Sequence, residues 1–305
     1  MDTFIVTAIQ NGLHLKSFLK EYGISTHSYR NLVEKSGIYV NGQLARTNLT
    51  VQTDDQVSFN WLEEASEVIP QTSPYQLSAE SQKELSPLVL PIVFEDEALL
   101  VINKPAGMLV HPTGPFLGDS LVNYVAGYLQ EQGLPLYLHP ITRLDRNTSG
   151  LIIMAKKAYI QAALERQVLH KEYLGIVEGR PSAPSGSIAE PIGRKFGSII
   201  EREVNGINAK PARTDWEVVQ TYPKVSLVRF ILHTGRTHQI RVHAAYQGHP
   251  LVGDNLYGLQ PGPQSRHCLH AYKLSFVHPL THEPLSFTLP LPEDMRKILE
   301  LAYTK

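Results

Sequence analysis

The pattern of apolar and polar positions changes character near residue 90 of this chain. In LHLKSFLKEY (13–22) the apolar residues Leu15, Phe18, Leu19 and Tyr22 recur at helical spacing, and Gly23 stops the helix. Thr26 is placed to cap a second helix with Leu32 and Val33 on its inner face, and Gly37 ends it. Ile38-Tyr39-Val40 reads as a short strand, Asn41-Gly42 as a tight turn and Val57-Ser58-Phe59 as a closing strand. Residues 61–90 are rich in Glu, Ser, Gln and Pro and poor in large apolar residues, which is a linker composition. From Pro91 strands dominate: IVFED, LLVINK, LIIMAK, YLGIVEG, VSLVRFIL, LSFVHPL and LSFTL, with helical stretches at 119–131 and 158–168. The pattern predicts a small unit over 1–60, a linker over 61–90 that leaves its orientation open, and an α+β domain over 91–305 on a mainly antiparallel sheet.

Composition narrows the class. The 305 residues are 42% hydrophobic and 19% charged, so the chain is globular and can bury a core without disulfides or metals. The sole cysteine, Cys268, excludes an intramolecular disulfide and any multi-cysteine zinc or iron–sulfur site, and reads as a buried, inert thiol. No apolar run reaches the roughly 18 residues of a membrane span, and MDTFIVTAIQNG lacks the pattern of a signal peptide. These features predict a soluble protein of a reducing compartment, the cytoplasm, with no membrane partner. The net charge of −1 hides an uneven distribution. Residues 143–241 hold 16 Lys or Arg against 9 Asp or Glu, whereas 61–90 hold one Lys against five Glu. A basic middle of this kind attracts phosphates; an ordinary solvated surface would also account for it.

Two stretches are dense in reactive groups. In TRLDRNTSGLIIMAK (142–156) a polar loop feeds an apolar strand, and Asp145 stands between Arg143 and Arg146. A carboxylate flanked by guanidinium groups stays ionised at neutral pH, which suits a nucleophile and not a general acid; a turn aspartate in a surface ion pair has the same local sequence. In HTGRTHQIRVHAAYQGHPLVGDNLYG (233–258) Arg236, His238, Gln239, Arg241 and His243 follow a strand. Phosphate binding by the arginine pair, an interior polar network, and a metal site of His238, His243 and Asp254 all compete there. The five-residue step between the two histidines disfavours the metal, because it turns the rings to different faces of a helix or a strand.

Taken in order, these stretches resemble the RluA-type pseudouridine synthases over nearly the whole chain. FEDEALLVINKPAGMLVHPTG (94–114), TRLDRNTSGL (142–151), KEYLGIVEG (171–179), LHTGRTHQIRVH with GHPLVGDNLYG (232–258) and LHAYKLSFVHP (269–279) each resemble a family motif. Thr142 stands where the family usually has His, and Gly175 where it usually has Ala. The resemblance implies a pseudouridine synthase catalytic domain that isomerises uridines in structured RNA, with no cofactor and no metal, acting as a monomer. It implies Asp145 as nucleophile, Arg236 as the cation that orients it, and Tyr173 stacked on the uracil. Arg143, Leu232, His238, Gln239, Ile240, Arg241 and His243 are the implied substrate-binding residues. Residues 1–60 resemble an S4-like RNA-binding domain through the helix pair and Val40-Asn41-Gly42. They depart from it at His14-Leu15-Lys16 and Asp54-Asp55. The expected RNA is that of the large ribosomal subunit, with transfer RNA as the alternative; a non-catalytic RNA-binding or ribosome-assembly protein is the reading from another class.

Overall fold

The computed structural model describes residues 2–35, 37–60, 90–112, 120–134, 137–258 and 266–303. Residues 61–89, almost all of the expected linker, lie outside this set. Near the N-terminus, β1 (Asp2–Ile5), β2 (Ile38–Val40), β3 (Gln43–Leu44) and β4 (Gln56–Phe59) form an antiparallel sheet in the order β1-β4-β2-β3. The helices Leu15–Glu21 and Thr26–Lys35 precede β2, as the periodicity predicts, and bury Leu15, Phe18, Leu19 and Leu32. The cap of the second helix is Ser25, one residue earlier than expected: its hydroxyl accepts the Ser28 N–H at 3.0 Å, and Thr26 is already inside the helix.

The remaining chain is organised by a ten-stranded sheet. It contains β5 (Ile92–Glu95), β6 (Leu99–Lys104), β7 (His139–Pro140), β8 (Ser149–Ala155), β9 (His170–Glu178) and β10 (Ser185–Ile188). A separate three-stranded sheet follows, of β11 (Ile192–Arg194), β12 (Arg202–Val204) and β13 (Ile207–Lys210). The chain then returns to the large sheet through β14 (Thr214–Thr221), β15 (Val225–Leu232), β16 (Leu269–Val277) and β17 (Pro284–Thr288). The main path is β10-β14-β15-β9-β16-β8-β6-β5, with β17 on β16 and β7 on β8. All its pairings are antiparallel except β8 with β16, so the sheet is mixed and mainly antiparallel, as expected. The seven expected strands are present. The sequence pattern missed β1, β7, the run β10–β14, and the helices Gln239–Tyr246 and Glu293–Tyr303. Among the described residues no helix is long and apolar enough to cross a membrane.

The parallel pair explains one glycine of the Asp145 stretch. Gly150 has φ +116°, and a Cβ there would lie 2.3 Å from the Ala271 carbonyl oxygen. Only a glycine lets β8 close onto β16 at this register, with Ser149 opposite His270 and Gly150 opposite Ala271.

The N-terminal unit packs directly on the large sheet's helix Ala158–Glu165. Phe4 and Phe59 meet the Tyr159 ring edge-on at 6.0 and 6.5 Å, and one apolar cluster runs from Phe18 and Val57 through Tyr159 to Ile153 and Leu274. Lys157 pairs with Asp2, and Arg166 donates to the Lys20 carbonyl at 3.1 Å. The orientation that the linker composition left open is thus set by buried contacts. Gly23 is the closest approach: it has φ +88°, and a Cβ would lie 2.2 Å from the Tyr159 carbonyl oxygen. We expect Gly23→Ala to lose more than about 2 kcal/mol of stability in urea denaturation. Gly12→Ala, with φ +81° but open space around it, should lose only the left-handed backbone term of about 1–2 kcal/mol. Equal losses would show that the contact with Tyr159 is not close.

Candidate active site

Asp145 stands on the loop that leads from β7 into β8, and two neutral histidines hold that loop from behind. Thr148 donates its N–H to the Asp145 carbonyl at 3.0 Å, which closes the turn. The Thr148 hydroxyl bonds His267 Nε2 at 2.7 Å, and the Ser149 hydroxyl bonds His270 Nδ1 at 2.9 Å. Burial pulls both imidazoles down to about 4, so they are uncharged hydrogen-bond partners at neutral pH. Arg266 reaches the same loop. Its Nη1 donates to the Asn147 carbonyl at 3.2 Å, while Nε and Nη2 fork onto Asp294 of the helix Glu293–Tyr303 at 2.6 and 3.1 Å. On the other side the buried Lys104 ammonium donates to the carbonyls of Pro105, Met108 and Arg146 at 2.8, 2.9 and 3.1 Å. Burial lowers its pKa to about 7, with the charge of Asp145 opposing the shift. The carboxylate therefore projects from a loop anchored at residues 146, 147, 148 and 149.

The cation that meets Asp145 comes from the helix Gln239–Tyr246. The chain enters this helix through His238 in a left-handed conformation, φ 59°. Arg241 is 6% exposed. Its Nε and Nη2 fork onto the two oxygens of Asp254 at 2.7 and 2.8 Å, and Nη1 donates to Asp145 Oδ2 at 3.3 Å. The guanidinium also lies 5.1 Å from the centre of the Tyr257 ring, a cation–π contact. Asp254 is held well below the usual carboxylate range: burial would raise it, but the Arg241 fork outweighs burial. His238 Nε2 is 3.9 Å from Asp145, and its Nδ1 bonds the Tyr257 hydroxyl at 2.8 Å. Burial holds this imidazole below its ordinary range, with Asp145 opposing.

The arginine expected to orient Asp145 was Arg236; the structure gives that contact to Arg241. Arg236 sits before the helix, and its Nε donates to the Pro211 carbonyl at 2.9 Å, while its side chain lines the open cleft. His243 is a second correction. It is fully buried, bonded to the Thr214 hydroxyl at 2.9 Å and the Glu190 carbonyl at 3.0 Å, and it faces the core between β14 and the helix. Gln239 is buried too. It bonds Thr234, Arg213, Thr214 and the Arg236 N–H, and so shapes the turn. Arg143, Tyr173, Leu232, His238 and Arg241 line one cleft of about 910 Å³ with Asp145, and Ile240 walls a smaller recess beside them. Tyr173 lies on β9 opposite Phe230 of β15. Burial, and then the nearby Asp145, push its phenol well above the usual range, so the hydroxyl is protonated. The sequence pattern did not single out Lys104, Lys171, Asp254 as the Arg241 partner, Tyr257 or His267. Lys104, Lys171, Asp254 and Tyr257 stand inside the quoted motifs; their place in the site is visible only in the folded structure.

Comparison with known proteins identifies the family and the fold. Residues 98–246 match the RNA pseudouridylate synthase family. The chain is 35% identical over 291 residues to the Bacillus subtilis (strain 168) protein named uncharacterized RNA pseudouridine synthase YjbO, which covers 94% of this chain and 98% of that one. It is 36% identical over 233 residues to ribosomal large subunit pseudouridine synthase D of Zymomonas mobilis, covering 70% of this chain and 72% of that one. The solved structure of human RNA pseudouridylate synthase domain containing 1 has a TM-score of 0.56 at 24% identity, covers 71% of this chain and 95% of its own, and shares the fold.

The two arginines predict different costs. Arg241→Ala leaves the Asp254 carboxylate buried without its counter-charge and should destabilise the protein by about 3–5 kcal/mol in urea denaturation. Arg236→Ala removes one accessible hydrogen bond and should cost no more than about 1 kcal/mol. The reverse order would contradict the placement of Arg241.

Proposed function

The chain belongs to the RNA pseudouridylate synthase family and is an RNA pseudouridine synthase, and we propose that it acts on large-subunit ribosomal RNA with Asp145 as its nucleophile. The observation that carries the site assignment is the setting of Asp145: a carboxylate on an anchored loop, at the wall of a cleft, touched by a buried arginine and faced by a buried tyrosine. Two relatives, from Zymomonas mobilis and Neisseria meningitidis, are named ribosomal large subunit pseudouridine synthase D, at 36% and 35% identity over 70% of this chain, and they support the choice of RNA.

In the reaction the bond between uracil N1 and ribose C1′ breaks and a bond from C5 to C1′ forms. The C5 proton leaves and N1 gains one, so the product is an isomer of the substrate and no co-reactant is consumed. The reacting uridine must leave its helix or stack, at a cost of about a few kcal/mol. The cleft offsets part of that cost by stacking the base on the Tyr173 ring, worth roughly 1–3 kcal/mol. Asp145 takes up the developing charge at the breaking bond. Arg241 orients it, in the role the sequence motif suggested for Arg236. Leu232 and Ile240 wall the base, and Arg143 faces the RNA backbone. Residues 1–60 serve as an S4-like RNA-binding domain docked beside the catalytic domain of 91–305, with 61–90 as the connector. The protein works in the cytoplasm as a monomer.

Asp145→Asn should abolish turnover, measured as tritium release from [5-³H]uridine RNA, while leaving RNA affinity within about 2–3-fold, because binding rests on phosphate contacts elsewhere. Turnover at the wild-type rate in this variant would remove Asp145 from the mechanism. Tyr173→Phe keeps the stacking face and loses the hydroxyl; we expect slower turnover at similar affinity, and full activity would mean that the hydroxyl takes no part. The substrate is identified by carbodiimide mapping of pseudouridine in cells with and without the gene, restored with wild type or Asp145→Asn. A large-subunit site regained only with the wild type is the expected result; a site in transfer RNA would replace the ribosomal assignment.

A further inference from the structure

Lys171 also lines the cleft. Side chains on a strand alternate between its two faces, so Lys171 and Tyr173 on β9 share a face, and both line the cleft. Lys171 lies opposite Leu232 on β15 and Leu274 on β16, in apolar company. Its half-buried side chain has no hydrogen bond or ion pair among the described residues. Burial alone pulls its ammonium below the ordinary lysine range, with no carboxylate opposing.

Other inward-facing lysines of this protein are provided for. Lys104 has three carbonyls, Lys156 has Glu95 and the Asp96 carbonyl, and Lys157 has Asp2. A partly desolvated ammonium without a partner carries a standing cost, which a ligand that supplies negative charge removes. The surroundings of Lys171 point to the same ligand. Arg143 lines the same cleft with an exposed side chain that makes no hydrogen bond or ion pair among the described residues. His111 is pulled down by burial and then by the neighbouring His139 and Arg143, as befits a positive field. Glu165, the other carboxylate lining the cleft besides Asp145 among the described residues, is turned to Gln161 at 2.9 Å and His139 at 3.8 Å.

We propose that Lys171 binds a phosphodiester of the RNA strand next to the flipped uridine, sharing that backbone segment with Arg143; the proposal rests on the pseudouridine synthase reading above. Two positions separate Lys171 from Tyr173, about 7 Å along the strand, which is the scale of one nucleotide. A base stacked on Tyr173 therefore carries its adjoining backbone toward Lys171. A base carbonyl would satisfy the ammonium's hydrogen bonds but leave its charge unbalanced; a phosphate does both.

The test uses the full chain and large-subunit ribosomal RNA transcribed in vitro, with tritium release for kcat and KM and filter binding across a salt series. Lys171→Met should raise KM and Kd about 10-fold, the loss of one charge-assisted contact. It should leave kcat within about 2-fold and shallow the slope of log K against log salt by about 0.7, the value for one single-strand phosphate. Lys171→Arg, which keeps the charge, should retain the wild-type slope. Wild-type KM and slope in Lys171→Met would overturn the proposal. A loss confined to kcat with the slope unchanged would also overturn it, and would point to contact with the base. Thermal melting confirms that the variant folds, and Lys171→Gln is read in the same way if the Met variant does not. A wild type that converts no uridine in ribosomal or transfer RNA overturns the pseudouridine reading itself, whereas an active wild type with an unaltered Lys171→Met overturns this proposal alone.

Discussion

One buried guanidinium shared by two carboxylates sets the geometry of this site. Arg241 gives both arms of its fork to Asp254 and leaves only Nη1 for Asp145. An arginine removed from water needs a matching charge at close range, and a broken buried pair costs about 3–5 kcal/mol. Asp254 meets that need, and its Oδ1 is fixed in turn by the N–H groups of Leu256 and Tyr257 at 3.0 and 3.2 Å. Because Asp254 already takes both arms of the fork, the contact to Asp145 is the longer one, and it fixes where that carboxylate sits against Arg241. The same contacts tie together three separated segments: the loop before β8, the helix Gln239–Tyr246 and the turn at 254–257.

Behind this triad the protein uses neutral polar groups where charges would be costly. His267 and His270 are buried and uncharged, and they hold Thr148 and Ser149. Arg266 is charged but is matched by Asp294, so the C-terminal helix stabilises the loop of Asp145 from a distance in sequence. Gly150 allows β8 and β16 to approach closely enough for those histidines to reach the loop. Buried hydrogen bonds of this kind favour one arrangement, since leaving a member unpaired costs more than its bond contributes.

The N-terminal unit is part of the same construction. Its aromatic residues pack on Tyr159, and the helix that carries Tyr159 ends in Glu165, which lines the cleft. A unit whose charges balance, five basic against five acidic residues in 1–60, gains little from long-range attraction to RNA. Its buried docking on Tyr159 holds it in one orientation against the catalytic sheet's helix.

The sequence alone determined the strands of the large sheet whose apolar residues form dense runs and the first two helices, and its motifs marked Asp145 and Tyr173 as candidates, because local periodicity and motif chemistry survive in one dimension. It did not determine β10–β14, whose strands are short or carry mostly half-exposed residues, nor the helix Gln239–Tyr246, which is buried nearly all round and so has no polar face to reveal its period. It also could not choose between Arg236 and Arg241: five residues apart, the two carry the same charge. Tertiary structure decided that choice, because the turn at His238 and the helix after it aim Arg241 inward at Asp254 and Asp145 while Arg236 stays at the rim. A pairing across 96 residues depends on which side chain the packing removes from water, and that is a property of the folded interior.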